Sequence, residues 1–169
     1  MLKMIKPTFL FLFLIIISFF SFLYTGIKID SFSFSNILVS QFYIKMDKKL
    51  ILTIDNIEYK SEKTTTSSSF EELKNSIELL PKVLNFFQKI KINKLKINDN
   101  EFEIILDDEI LYLDNKYINI ASKIDTISNQ VVFELYSLYL KDLNFLFDGK
   151  VKIDYFNEKI DYYGNFYYE

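Results

Sequence analysis

From Ile92 to Tyr168 apolar and polar residues alternate with period two, in segment after segment. "EFEIIL", "QVVFELYSLYL", "LNFLFDGKVKIDYF" and "EKIDYYGNFYYE" follow one another with only short polar breaks. Alternation of this kind sends successive side chains to opposite faces, so it predicts half-buried strands and argues against helix. The breaks ("NDN", "DD", "DN", "SN", "DG", "NE") are turn chemistry built on Asn and Asp. With 3 Gly and 2 Pro in 169 residues, few other turn formers are at hand. Short connections favour antiparallel hairpins. The expectation is a meander, each strand pairing with its predecessor. Gly149 after Asp148 reads as a turn glycine, and Gly164 within a strand as a bend or bulge.

The earlier part of the chain is more varied. Ile27 and Ile29 oppose Lys28 and Asp30, and Phe42, Ile44 and Met46 oppose Tyr43, Lys45 and Asp47. Phe32 and Phe34 have the opposite parity to Ile27 and Ile29, which predicts a bulge or bend between them. Leu50, Leu52 and Ile54 line a further strand. Ser61 to Ser69 is a low-complexity polar stretch and reads as a loop. Then the period changes. Phe70, Leu73, Ile77, Leu80, Leu84 and Phe87 recur every three or four residues, which predicts an amphipathic helix over about 69–91. Ser68 with Glu71, and Ser69 with Glu72, match capping boxes. Pro81 should kink or split this helix. A second stripe (Leu79, Val83, Phe86, Ile90) widens its apolar arc. Packing on a sheet suits it better than a membrane surface, since Lys74, Lys82 and Lys89 alternate with Glu71, Glu72 and Glu78.

The strands carry the property of interest. Phe102, Ile104 and Leu106 share a face, as do Val131, Phe133 and Leu135, then Leu143, Phe145 and Phe147, then Val151, Ile153 and Tyr155. Glu101, Glu103, Glu134, Lys150, Lys152 and Asp154 take the opposite faces. One helix covers only a few strands. The rest of the apolar face must close on itself, as in a β-sandwich or barrel, or meet lipid.

Reactive chemistry is sparse. There is no Cys and no His, which removes disulfides, thiolate nucleophiles and imidazole acid–base catalysis. Asp107, Asp108, Glu109 and Asp114 form the densest carboxylate group, but their spacing matches no cation loop and reads as a solvated turn. No catalytic residue, metal site or cofactor-binding motif emerges, and the chain is not read as an enzyme. Lys3 and Lys6 precede the first apolar run; the remaining 18 basic residues face 23 acidic ones, a net of −5. That argues against nucleic acid as a partner, since phosphate binding needs a basic face.

Thr8 to Tyr24, "TFLFLFLIIISFFSFLY", is 17 residues without a charge. As a helix it would rise roughly 25 Å, enough for a thin or locally thinned hydrocarbon core. Lys3 and Lys6 before it place the N-terminus in the cytoplasm. No small-x-small cleavage site follows, which favours an uncleaved signal anchor over a cleaved signal peptide. The division is thus 1–25, a cytoplasmic tip and transmembrane anchor, and 26–169, an exported β-rich domain. "GNFYYE" ends the chain in mid-strand, so an exposed aromatic edge awaits either further strands or a partner.

The order of these features resembles the start of AsmA-like proteins, bacterial envelope members of the bridge-like lipid-transfer group. The resemblance is carried by Thr8–Tyr24, by "IKIDSFSFSNILVSQFYIKMDKKLILTIDNIEY" and by "LKINDNEFEIILDDEILYLDNKYINI", and it covers nearly the whole chain. It implies an inner-membrane anchor, a periplasmic domain and a curved, open, groove-like sheet. The groove's apolar inner face would hold phospholipid acyl chains on their way to the outer membrane. It implies no catalytic residues and no cofactor. Its partners would be the inner membrane, phospholipid, and further strands or an envelope protein at the C-terminal edge. The chain is shorter than full members, so the resemblance implies either an N-terminal portion or a truncated relative. The alternative is an anchored scaffolding or protein-binding module with no lipid cargo.

Overall fold

The computed structural model describes residues 7–60, 70–127 and 130–168. Helix α1 (Pro7–Thr25) leads into β1 (Ile27–Phe34), β2 (Ile37–Met46) and β3 (Leu50–Tyr59). Helix α2 (Phe70–Phe86) follows, then β4 (Phe87–Ile97), β5 (Asn100–Asp107), β6 (Ile110–Asn115) and β7 (Ile118–Ile127). Strand β8 (Gln130–Leu140), a single 3-10 turn (Lys141–Leu143), β9 (Phe145–Asp154) and β10 (Lys159–Tyr168) complete the described chain. The strands form one ten-stranded sheet in the order of the sequence, β1 to β10, with its outermost strands open. The protein is mostly β, as the alternation predicts.

One pair departs from the expected meander. β3 and β4 run parallel; every other neighbouring pair is antiparallel. The cause is the connection. A parallel pair needs a crossover long enough to return the chain to its starting end, and the segment holding α2 supplies it. We call the end of the sheet where α1 enters β1 the near end. The turns β2–β3, β5–β6 and β9–β10 also lie there.

α2 is shorter than the expected 69–91. It stops at Phe86, and Phe87 already belongs to β4. From there "FQKIKINKLKI" alternates, and pairing with strands on both sides wins over continuation of the helix. Pro81 lies inside α2 without splitting it. The Ser/Thr stretch 61–69, with the capping serines Ser68 and Ser69, lies outside the described residues. So does the "SN" turn, 128–129.

Asn and Asp build the turns. Asn98 and Asp108 adopt φ of 53° and 52°, the left-handed region these residues tolerate. The side-chain oxygen of Asn115 accepts the backbone N–H groups of Tyr117 and Ile118 at 2.8 and 2.7 Å, closing the β6–β7 turn. Asp148-Gly149 is a correction: β9 passes straight through it. Gly149 instead faces Gly164 across β9–β10. A Cβ on either would collide with the other strand's backbone, so the two strands meet there more closely than any side chain allows.

The core forms where α2 lies on the near end of the sheet. Ile77 packs with Leu106, Ile124, Val131 and Ile153, joined by Leu80, Val83 and Leu84 from the same helix. Each fully buried aliphatic side chain is worth about 1.5–3 kcal/mol there. Of the second stripe, Leu79 and Phe86 are exposed. Val83 joins the core, and Ile90 belongs to β4.

The uncharged run Thr8–Tyr24 lies within α1, yet among the described residues no helix is long and apolar enough to cross a membrane. The 19 residues of α1 rise about 28 Å, just short of a ~30 Å hydrocarbon core. Side chains from Phe9 to Phe22 are exposed, whereas Leu23 is buried near the junction with the sheet. Gly26, at φ 92°, makes the turn from α1 into β1, and its backbone N–H donates to the Phe22 carbonyl at 2.9 Å.

Candidate functional site: an apolar ribbon across ten strands

Strand pairing traces one row of side chains from edge to edge. Ile29 pairs with Phe42, Phe42 with Ile54, and Ile54 with Ile92. Ile92 pairs with Ile104, Ile104 with Leu113, and Leu113 with Ile120. Ile120 pairs with Leu138, Leu138 with Phe147, and Phe147 with Phe166. Paired residues share a face. Every strand therefore contributes one aliphatic or aromatic residue to a single line. The next row outward repeats this, from Phe32, Val39, Ile57, Leu95 and Phe102 to Leu140, Phe145 and Tyr168, with Asn115 its polar member. At about 4.8 Å between strands, the line is roughly 43 Å long.

Strict alternation could not produce this. Val39 and Phe42, Ile54 and Ile57, and Ile92 and Leu95 are each three residues apart, and each pair stays on the apolar face. The extra residues are Asp30, Gln41, Asp55 and Asn93, side by side on β1 to β4 between the two rows. Gln41 takes φ 52°, and the Asn93 amide donates to Asp55 Oδ1 at 2.9 Å. The parity change at Phe32, expected as a bulge, belongs to this four-strand feature. A second slip on β8 moves the pairing from Ser122–Leu135 to Ala121–Ser137, with Tyr136 as the extra residue. It keeps Leu138 and Leu140 in line with Leu135.

The expected residues divide into three sets. Leu106, Val131, Phe133, Val151, Ile153 and Tyr155 lie in or against the α2 core, so helix already occupies that part of the face. Phe102, Ile104, Leu135, Phe145 and Phe147 lie on the same face outside that core. Leu143 is a correction: it sits in the 3-10 turn, 61% exposed, and lines no strand. Ile92, Leu113, Ile120, Leu138 and Phe166 are not among the expected lipid-facing residues, nor are Ile29, Phe42 and Ile54, which the sequence marks only as lining strand faces. The parity slip in "QVVFELYSLYL" is the signal that would have placed Leu138, and the slip in "KIKINKLKI" the one that ties Ile92 to Leu95. Toward the β10 edge, the Phe147 and Phe166 rings pack 4.7 Å apart.

The opposite face is charged and internally paired. Lys89 pairs with Asp107, Lys94 with Glu101 and Lys150 with Glu134 across neighbouring strands. Of the carboxylate group, Glu109 meets Lys123 and Asp114 meets Lys141. These acids are dispersed onto separate lysines, and the described residues hold no cluster of three or more metal-ligating side chains. Hydrogen bonds from Lys141, then Asn119, hold the Asp114 carboxyl below its ordinary range. Asp154 is lowered further, to about 2, by the backbone N–H of Asn157, then the side chains of Asn157 and Gln130. Lys123 is raised by Asp125 first and Glu109 after it. These groups fasten strands together on the wet side, away from the ribbon.

The chain matches no family model, no curated protein and no solved structure.

Proposed function

We propose that the chain is a membrane-anchored module of a bacterial envelope whose apolar sheet face receives phospholipid acyl chains in transit between inner and outer membrane. This is the role implied by its resemblance to AsmA-like proteins. One observation carries the reading: the apolar ribbon crosses all ten strands, while α2 covers only the near end. A hydrocarbon face of that length has no place in water uncovered. At roughly 43 Å it exceeds a single acyl chain, which reaches about half of a ~30 Å bilayer core. Each CH₂ laid on it gains about 0.8 kcal/mol. The sheet is read as curved into an open groove. Val39, Ile54 and Leu135 are buried though they lie outside the α2 core, as side chains sheltering one another on an inward-coiled face would be.

α1 is read as the anchor, inserted in the inner membrane with its N-terminus cytoplasmic and the sheet periplasmic. Its support is a helix exposed and uncharged on all sides from Phe9 to Phe22, a pattern that belongs in lipid. Local thinning of the bilayer accommodates its length. The test is native mass spectrometry of the full chain extracted from bacterial membranes. Phospholipid retained through purification is the expected result; a lipid-free protein would overturn the reading.

A second reading is favoured by β10. Its residues from Tyr162 to Tyr168 are exposed, with Phe166 and Tyr168 at 58% and 82%, along an open strand. An anchored scaffold pairing this edge with a partner's strand would use the same feature without lipid cargo.

A further inference from the structure

We infer that the outer face of the sheet at its near end is a docking surface for anionic phospholipid headgroups of the bilayer that holds α1. This rests on the anchor reading above. The residues are Lys28, Lys45, Lys48 and Lys91. Lys28, Tyr43, Thr53 and Lys91 form one row across β1 to β4 on the charged face, and Lys45, Ile51 and Lys89 form the row beyond it. Lys48 sits at the tip of the β2–β3 turn. Among the described residues, Lys28, Lys45, Lys48 and Lys91 make no ion pair.

The neighbouring charges do not cancel them. Lys89 is already taken by Asp107, and Lys49 Nζ is donated to the Leu84 carbonyl at the end of α2, 2.8 Å away. Asp47 is the acid in the same turn, and Asp30 and Asp55 lie one row further from the near end. Elsewhere the chain is acidic, at −3 overall. The positive corner is therefore local, and it sits where α1 joins β1 through one residue, Gly26.

Position is what makes this a membrane contact. With a one-residue junction and Leu23 buried, the near end cannot swing far from the plane that α1 enters. Lysines held within a Debye length, about 8–10 Å, of a surface feel its charge. Each contributes about a fivefold gain in occupancy on an anionic leaflet. Tyr43, with the Lys28 ammonium 5.8 Å over its ring, adds an interfacial aromatic to the corner. Such docking would fix the sheet's tilt and hold the β1 end of the ribbon beside the bilayer.

The chain has no cysteine, so one introduced residue takes a fluorophore uniquely. Full chain labelled at Thr53→Cys, Asp99→Cys or Phe13→Cys is placed in nanodiscs. The discs contain phosphatidylcholine alone or with phosphatidylglycerol, and nitroxide lipids serve as quenchers. Headgroup nitroxide is expected to quench the Thr53 label severalfold more than the Asp99 label when phosphatidylglycerol is present. High salt, or the triple change Lys28→Gln, Lys45→Gln, Lys91→Gln, should remove the difference. A Thr53 signal indifferent to phosphatidylglycerol and to salt overturns the inference, and the salt series needs no variant that might misfold. Acyl-chain nitroxide reports α1 separately through Phe13. A silent Phe13 with a phosphatidylglycerol-dependent Thr53 removes the anchor and upholds the docking surface.

Discussion

Ile92 and Leu95 stand on the same face of the sheet although three residues separate them: Ile92 pairs with Ile104, and Leu95 with Phe102. A bulge absorbs the extra residue between them, and so keeps the ribbon continuous where β4 meets β5. Inserting one residue beside Asn93 would exceed what the bulge absorbs, turning Leu95 and Ile97 to the charged face and Lys94 and Lys96 to the apolar one. We expect a loss of at least about 3 kcal/mol, read as a fall in the urea midpoint. Asn93→Ala keeps the length and loses one exposed hydrogen bond to Asp55, at a cost of about 1 kcal/mol or less. Equal effects from the two changes would refute this role for the bulge.

Ser122 tests the ribbon from the other side. It lies between Leu111 and Leu135 in the pairing, is fully buried, and its hydroxyl finds no hydrogen-bond partner. An unsatisfied buried hydroxyl costs about 1–3 kcal/mol. Ser122→Ala should therefore raise stability by about 1 kcal/mol, seen as a higher melting temperature. A destabilised alanine variant would mean the hydroxyl is satisfied in solution.

Ile77 is the residue by which α2 enters the core, 4% exposed against Leu106, Ile124, Val131 and Ile153. Ile77→Ala should cost about 2–5 kcal/mol. Leu79, on the same helix but 53% exposed, should cost under about 0.5 kcal/mol when changed to alanine. Denaturant unfolding of both variants checks the orientation of the helix.

Asp154 sets an acid limb. Its carboxylate accepts the backbone N–H of Asn157 at 2.9 Å, the Asn157 amide at 3.0 Å and the Gln130 amide at 2.8 Å. These bonds lower it from the ordinary 3.8 to about 2. A depressed folded pKa means the stabilisation is present above the unfolded value and is lost as protons bind. Stability should thus decline as pH falls from 3.8 toward about 2. Asp154→Asn should flatten that part of the curve, measured by thermal unfolding across the pH range.

Much of this architecture could be read from the residues, and what could not has a physical cause. The strands of the C-terminal half announce themselves because one face is apolar and one charged. Ile77, Leu80 and Leu84 announce α2 by their spacing. The end of α2 was misplaced because Phe87 and Ile90 fit both a helical stripe and a strand; pairing with β3 and β5 decided between them. The parallel β3–β4 pair depends on where the crossover returns the chain, which no local pattern records. The ribbon itself was half visible. Phe102, Ile104, Phe145 and Phe147 lie on it or in the row beside it, but Leu138 was hidden by the slip at Tyr136. Leu143 looked like a strand residue because its parity matched Phe145, yet the turn at Lys141–Leu143 comes first.

The most direct test of the central claim compares the two faces of the sheet. Phe145→Asp puts a charge on the apolar face, outside the α2 core and so without breaking it. Lys152→Asp reverses a charge on the opposite face. Phospholipid bound to each purified full-length variant is counted by native mass spectrometry. Loss of lipid with Phe145→Asp, alongside retention with Lys152→Asp, is the predicted result. Equal lipid in the two variants, or none in the parent chain, would contradict an apolar face made to carry acyl chains.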